Sequence, residues 1–401
     1  MRRISAVFGT AGALLAALVV TAPALAQDDA PAVTPFPIGF VELANDPRVD
    51  PERTYYEVQV RPWGSSLAGA ELAIQDSQTI GNVINVGFTL RDTAAASIDE
   101  AIATVREWAA EGMHFVVVNV PAAEMLALAD GVADLPVTLF NTTAAEDYLR
   151  GESCRANVVH TAPSQRMLTD AMVQFLVTNR WTNILVLEGP SEADASEVAA
   201  LRQSATLFGA RIVDVRPFIL SNDPRNREEN NVALITAQGN YDVVYIADSD
   251  GEFARFATYE VNNPRPVVGA AGLTAAAWHW SYQKQGSSEI TQRFDDVGGR
   301  HMQSQDWTAW ISIRAIVQSV LRGQTTEYQG VRDYLLGDRM NLDGGKGNPM
   351  SVRSWDHQLR QAIPLASANA VFDEAPITGF LHPTNDLDTL GVDERQTTCR
   401  F

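Results

Sequence analysis

The stretch from Ser97 to Asn141, SIDEAIATVREWAAEGMHFVVVNVPAAEMLALADGVADLPVTLFN, fixes the class of fold. Ile98, Ile102, Val105 and Trp108 recur at helical spacing, Ser97 stands at the cap position with Glu100 three residues on, and Gly112 follows as a stop. Phe115 to Val118 is then a short, wholly apolar run, as expected of a strand covered on both faces. A short helix from Ala122 to Asp130 and a further strand from Pro136 to Phe140 repeat the step. Strand and helix in strict alternation predict an α/β fold with a parallel sheet.

The same rhythm extends in both directions. Upstream lie apolar runs Pro37 to Leu43 and Val83 to Leu90, with a helical pattern from Ser65 to Asp76 between them. Downstream of Cys154 the pattern restarts. A strand over 157–159 precedes a helix lined by Met167, Leu168, Ala171, Phe175 and Leu176. A strand over 183–187 and a helix over 191–208, stopped by Gly209, come next. Runs at 212–218, 231–236, 243–246 and 267–269 continue it. From Thr274 the character changes to helices at 306–322 and 328–336 and a hairpin-like alternation at 352–364. The expectation is two doubly wound, Rossmann-like lobes joined by a multi-strand hinge. Residues 27–153 with 274–346 form the first lobe, and 154–273 with 347–401 the second.

Arg2 and Arg3, the apolar run from Ala6 to Val20 and Ala24-Leu25-Ala26 before Gln27 read as a cleaved secretory signal peptide over 1–26. The apolar run is shorter than the roughly 20 residues of a spanning helix. A periplasmic location follows. The formal charge of −19 becomes about two units more negative once Arg2 and Arg3 are removed, which disfavours nucleic acid and anionic lipid as partners. Cys154 and Cys399 are the two cysteines. In an oxidising compartment they are expected to pair, two free buried thiols being the alternative.

Particular phrases now become informative. RPWGSSLAGAELAIQD (61–76), FNTTAAEDYL (140–149) followed by VVHTAPSQRMLTDAMVQFL (158–176), and NRWTNILVLEGP (179–190) with ALRQSATLFGARIV (200–213) resemble type I periplasmic binding proteins of the branched-chain amino-acid class. The segments GGRHMQSQDWTAWISIRAIVQSVLRG (298–323), GGKGNPMSVRSWDHQLRQAIPL (344–365) and LDTLGVDERQTTC (387–399), with ANDPRVDPERTY (44–55), are similar to the subfamily associated with PQQ-dependent alcohol dehydrogenase systems.

The resemblance implies the type I periplasmic-binding-protein fold and the solute-binding component of an ABC importer. Such a chain holds a small ligand in the cleft between its lobes and docks as a monomer on a permease and ATPase complex, with components of a PQQ-dependent dehydrogenase as further partners. An alternative is a periplasmic carrier of PQQ, or of a metal such as a lanthanide or calcium, for that dehydrogenase. A sensor domain is the less favoured third reading, because a sensor is expected to continue into a membrane span.

In the class, first-lobe Ser and Thr groups hold a ligand carboxylate and a second-lobe acid holds its ammonium. Here the loop after the third strand reads Asn119-Val120-Pro121-Ala122-Ala123, without the serines, and the acid position lies near Ala270-Ala271-Gly272. Trp63, Asn119, Asn141, Thr142, Asp248, Asp250 and Trp307 are the expected ligand-binding residues, which makes the pocket aromatic and acidic.

Each has a plainer alternative. Trp63 packs in the core, Asn141 and Thr142 cap a helix, Asp248 and Asp250 cap the helix at Glu252, and Trp307 joins Trp310 in a packing stripe. Asp248-Ser249-Asp250-Gly251 also resembles a fragment of a calcium loop but lacks the remaining ligands, so no metal site is expected. No nucleophile elbow, phosphate loop, HExxH or CxxC occurs, and the six histidines show no helical i,i+4 pairing. The expectation is a binding protein without catalytic residues or cofactor.

Overall fold

The computed structural model describes residues 33–46, 48, 54–55, 58–59, 65–219, 223–226 and 228–401. The signal-peptide assignment over 1–26 and the assignment of Trp63 lie outside them.

The first sheet is built from β1 (Thr34–Leu43), β4 (Val86–Ala95), β5 (Phe115–Asn119), β6 (Thr138–Asn141) and β7 (Val158–His160), all parallel, in the order β4-β1-β5-β6-β7. A two-residue antiparallel pair, β2 (Thr54–Tyr55) and β3 (Val58–Gln59), precedes α1 (Leu67–Ile84). Helices α2 (Ile98–Ala110) and α3 (Ala122–Gly131) complete the windings. The start of α2 forms as its sequence implies: Ser97 Oγ accepts from Glu100 N–H at 3.3 Å, and the Glu100 carboxylate reaches back to Ala96 N–H at 3.0 Å. Its Trp108 packs on β1 at Gly39, where a Cβ would stand 2.7 Å from the indole, so a larger residue there would push the helix off the sheet.

The second sheet has the order β11-β10-β8-β9, again parallel, from β8 (Asn183–Glu188), β9 (Arg211–Pro217), β10 (Val243–Ala247) and β11 (Val267–Gly269). Around it lie α4 (Gln165–Thr178), α5 (Glu192–Phe208), α6 (Val232–Ile235) and α7 (Ala254–Glu260).

The chain then returns. After β12 (Thr274–Ala275) come α8 (Ser287–Gly298), α9 (Ser304–Gly323) and α10 (Tyr328–Leu335), which pack with α1 against the first sheet and bury Trp307, Trp310 and Ile313 on Phe36, Ile38 and Phe40. Gly69 permits the closest approach, since a Cβ there would meet the Asp306 carbonyl oxygen at 2.1 Å. β13 (Ile363–Ser367) pairs antiparallel with β12 on one side and with β14 (Ala370–Ala375) on the other, and this small sheet covers α4 of the second lobe.

Three passages between the lobes lie side by side. Residues 357–362 hydrogen-bond to 160–162: His160 N–H donates to the His357 carbonyl at 2.9 Å, Leu359 N–H to that of His160 at 2.8 Å, and Gln361 Nε2 to that of Thr161 at 2.8 Å. Ala276 N–H, in the second passage, donates to Pro364 O at 3.1 Å. A disulfide joins Cys154 to Cys399 with their Cα atoms 5.6 Å apart.

Four expectations need correction. The strand expected from Val83 begins at Val86, because α1 runs on to Ile84 and turns at Asn85 in the left-handed region. Val158–His160, expected to open the second lobe after Cys154, pairs with β6 and closes the first sheet, so the crossing comes after His160. The run at 231–236 is a short helix capped by Asn231. The hairpin expected at 352–364 lies downstream at 363–375. Val352 and Leu359 form only an isolated bridge, since this segment spends its hydrogen bonds on the hinge.

Candidate functional site

In a doubly wound sheet a ligand crevice forms where strand order reverses, at the carboxyl ends of the two strands flanking the switch. In the first sheet these are β1 and β5, where Glu42, the penultimate residue of β1, and Asn119, the last of β5, are direct partners in the register. In the second they are β8 and β10, ending on Glu188 and Ala247 and followed by Asp248. Each lobe thus presents carboxylates at its switch point.

On the first lobe Glu42 accepts hydrogen bonds from Ser65 Oγ at 2.7 Å and Asn119 Nδ2 at 3.5 Å. Burial raises its pKa; the bonds from Ser65 and Asn119 work against this, while Asp92 and Asp46 add to it. Ser65 is fixed from behind by Arg300, which donates to the Ser65 carbonyl at 3.3 Å and holds Asp306 bidentately at 2.6 and 2.9 Å.

On the second lobe a cavity of about 340 Å³ opens at the ends of β10 and β11. It is lined by Glu197, Tyr245, Asp248 and Ser249 on one side and by Leu168 and Met172 of α4 on another. Tyr245 Oη donates to Glu197 Oε1 at 2.6 Å, and burial with this acid beside it holds the phenol well above its ordinary pKa. The 248–250 loop is tied to the capping box of α5: Asp194 accepts from Ser191 N–H at 3.0 Å and Ser249 N–H at 2.6 Å, and the Ser191 and Ser249 hydroxyls meet at 2.9 Å. Gln165, also in the lining, donates its N–H to Ala145 O of the first lobe at 2.7 Å, so the cavity adjoins the crossing.

The expected residues fall into distinct surroundings. Asn119 and Asp248 stand at the two switch points. Asp248 is buried and accepts from Ala254 N–H at 2.9 Å, at the start of α7, while Asp250 is exposed beside it. Asn141 is fully buried and organises the turn after β6, accepting from Ala144 N–H at 2.9 Å and donating to Ala144 O at 2.8 Å. Thr142 Oγ1 donates to Val118 O at 2.8 Å, and the Thr142 carbonyl accepts from Thr308 Oγ1 at 2.7 Å, so both residues shape the loop from within. Trp307 has no exposed surface. It stacks on Trp278 and donates Nε1–H to Gly344 O at 3.0 Å. Glu42, Glu197 and Tyr245 were not anticipated. Among the described residues no three His, Cys, Asp or Glu side chains converge as a metal-binding set.

Residues 60–258 match the family model described as periplasmic binding protein. The solved structures then decide the architecture. A leucine-, isoleucine-, valine-, threonine- and alanine-binding protein from Brucella ovis in a closed conformation superposes with a TM-score of 0.69 over 91% of this chain and 98% of its own, at 14% identity.

This chain has the fold of the type I periplasmic binding proteins.

A branched-chain amino-acid ABC transporter ligand-binding protein from Burkholderia xenovorans LB400 aligns at TM-score 0.67 and 15% identity over 84% of this chain and 95% of its own. An ABC transporter solute-binding protein from Rhodopseudomonas palustris BisB5, solved with 3,4-dihydroxybenzoic acid, aligns at TM-score 0.64 and 12% identity over 85% and 97%. Comparison with curated proteins found no match. Among the described residues no helix is long and apolar enough to cross a membrane.

Proposed function

We propose that this chain is the periplasmic solute-binding component of an ABC importer, exported by its signal peptide, which captures a small polar organic molecule between its lobes and delivers it to a membrane permease. The observation that carries this reading is the pairing of two switch points, each edged by carboxylates, with a cavity of about 340 Å³ beside the second. That volume lies at the small end of ordinary ligand pockets.

The chemistry of the lining narrows the ligand. Glu197 and Asp248 in the lining, and Glu42 at the first-lobe switch point, accept hydrogen bonds and repel anions, so the favoured ligand carries an amine or several hydroxyl groups and is not a bare carboxylate. Related folds accept either kind: the Brucella protein is named for aliphatic amino acids and the Rhodopseudomonas one was solved with an aromatic acid. The likeness of the 298–323, 344–365 and 387–399 segments to proteins of PQQ-dependent alcohol dehydrogenase systems supports a ligand linked to that metabolism.

Thermal melting and tryptophan fluorescence against amino acids, amines, polyols, aromatic acids and PQQ test the proposal. A true ligand at a hundredfold excess over its Kd stabilises by about 2.7 kcal/mol. Stabilisation only by a metal ion, reversed by EDTA, would favour the carrier role instead, and slow consumption of the ligand would indicate an enzyme.

A further inference from the structure

A second cavity, of about 350 Å³, lies away from the switch points, between α1, α8 and α9. Asp76 lies nine residues along α1 from Leu67, which puts this cavity about 14 Å along the helix from its cleft end. Three of its walls form a closed ionic unit: Asp76 accepts from Arg293 at 3.1 and 3.2 Å and from Trp310 Nε1 at 2.9 Å.

Arg314, one turn beyond Trp310, is left over. Its guanidinium sits over the Trp310 ring at 5.8 Å, its Nε is out of solvent with no hydrogen-bond partner, and among the described residues it forms no ion pair. Burial lowers its pKa and Arg293 adds to this, with Asp76 and Asp343 opposing. A guanidinium held in a polar pocket with an orphaned N–H lacks the anion its planar fork is shaped for. The same pocket presents Glu289 and Asp343. Asp343 spends Oδ1 on Gly345 N–H at 2.9 Å, and neither acid is salt-bridged to a cation among the described residues. A guanidinium with an unpartnered Nε therefore shares the pocket with two acids that, among the described residues, form no ion pair.

We infer that this pocket is a second ligand site, distinct from the cleft, for a small dipolar molecule whose carboxylate docks on Arg314 and whose amine docks between Glu289 and Asp343. A simple carboxylate would satisfy Arg314 but meet the two acids. A simple amine would leave the guanidinium unanswered. A zwitterion answers both, and the volume suits a molecule of amino-acid size.

The test uses the full chain at constant ionic strength, with acetate, ethylammonium, glycine, β-alanine and 4-aminobutyrate as probes in thermal melting and calorimetric titration. At least one of the three amino acids is expected to raise Tm saturably, more than acetate and ethylammonium do. Arg314→Met should weaken its binding at least tenfold while Asp248→Asn, a cleft variant, leaves it unchanged. Arg314→Met should also melt no lower than the parent without probe, because it removes an unmatched charge. If Arg314→Met fails to fold, Arg314→Lys, which keeps the charge and loses the fork, must still weaken binding.

No saturable response to any amino acid overturns the inference, as does acetate binding as tightly as the amino acids. A response that survives Arg314→Met and disappears in Asp248→Asn also overturns it, and would assign the ligand to the cleft.

Discussion

Lys346 Nζ lies 3.6 Å from the centroid of the Trp307 indole and donates hydrogen bonds to Gln361 Oε1 and the Ala362 carbonyl, each at 3.0 Å. This cation–π contact fastens α9 of the first lobe to the third hinge passage. Burial pulls the ammonium well below its ordinary pKa, and Glu374 works against that.

The role expected of Trp307 is therefore a structural one at the hinge. Trp307→Ala removes a fully buried indole and its bond to Gly344, and should cost about 3–5 kcal/mol in denaturant unfolding. Affinity per folded molecule should hold. A residue touching the ligand would show the reverse pattern, with affinity lost and stability kept.

Acid should loosen the hinge through His357. This imidazole is buried, stacks on Phe401 at 4.1 Å and has its pKa depressed by burial from 6.5 to about 4. The folded state then binds fewer protons than the unfolded state between pH 4 and 6.5, so this residue's contribution is intact above pH 6.5 and falls away as pH drops to about 4. His357→Asn, which suits the positive φ of 52° at this position, should flatten the fall of Tm across that window relative to the parent. Parallel Tm curves for the two proteins would refute the assignment.

The disulfide links Cys154, on the first lobe, to a tail that Asp170 and Gln174 of α4 anchor on the second. Cys154→Ser, or reduction of the parent, should cost about 2–4 kcal/mol in unfolding experiments. Reductant should leave the variant's midpoint unmoved.

Asp248 has two roles to separate. It accepts from Ala254 N–H at the start of α7, and the side-chain oxygen of Asn can accept the same bond. Asp248→Asn should therefore change stability by less than about 0.5 kcal/mol. An amine or polyol ligand should nevertheless bind roughly tenfold more weakly, consistent with a charged hydrogen bond worth about 1.5–3 kcal/mol. Unchanged affinity would leave Asp248 only its bond to Ala254.

The α/β alternation was legible because buried parallel strands such as Phe115–Asn119 are short apolar runs between amphipathic helices. The sheet to which a strand belongs was not, since Val158–His160 looks like the opening of a new lobe until its pairing with β6, remote in sequence, is known. Glu42 sits inside an apolar run and acquires meaning only from the strand order that sets it beside Asn119. Asn141 and Thr142 are polar residues at a strand end, as a ligand loop would have, yet Asn141 bonds the backbone of its own turn and Thr142 that of the neighbouring β5. Trp307 carries the spacing of both a cleft aromatic and a core stripe, and only its contact with Trp278, from a distant segment, distinguishes them.

Calorimetric titration of the stabilising ligand into the parent and into Glu42→Gln/Asp248→Asn asks whether the guest is gripped by both lobes at once. Loss of one carboxylate from each face should weaken binding by about a hundredfold, taking roughly 1.5 kcal/mol from each as a minimum. Parent-like affinity in the double variant would contradict the account.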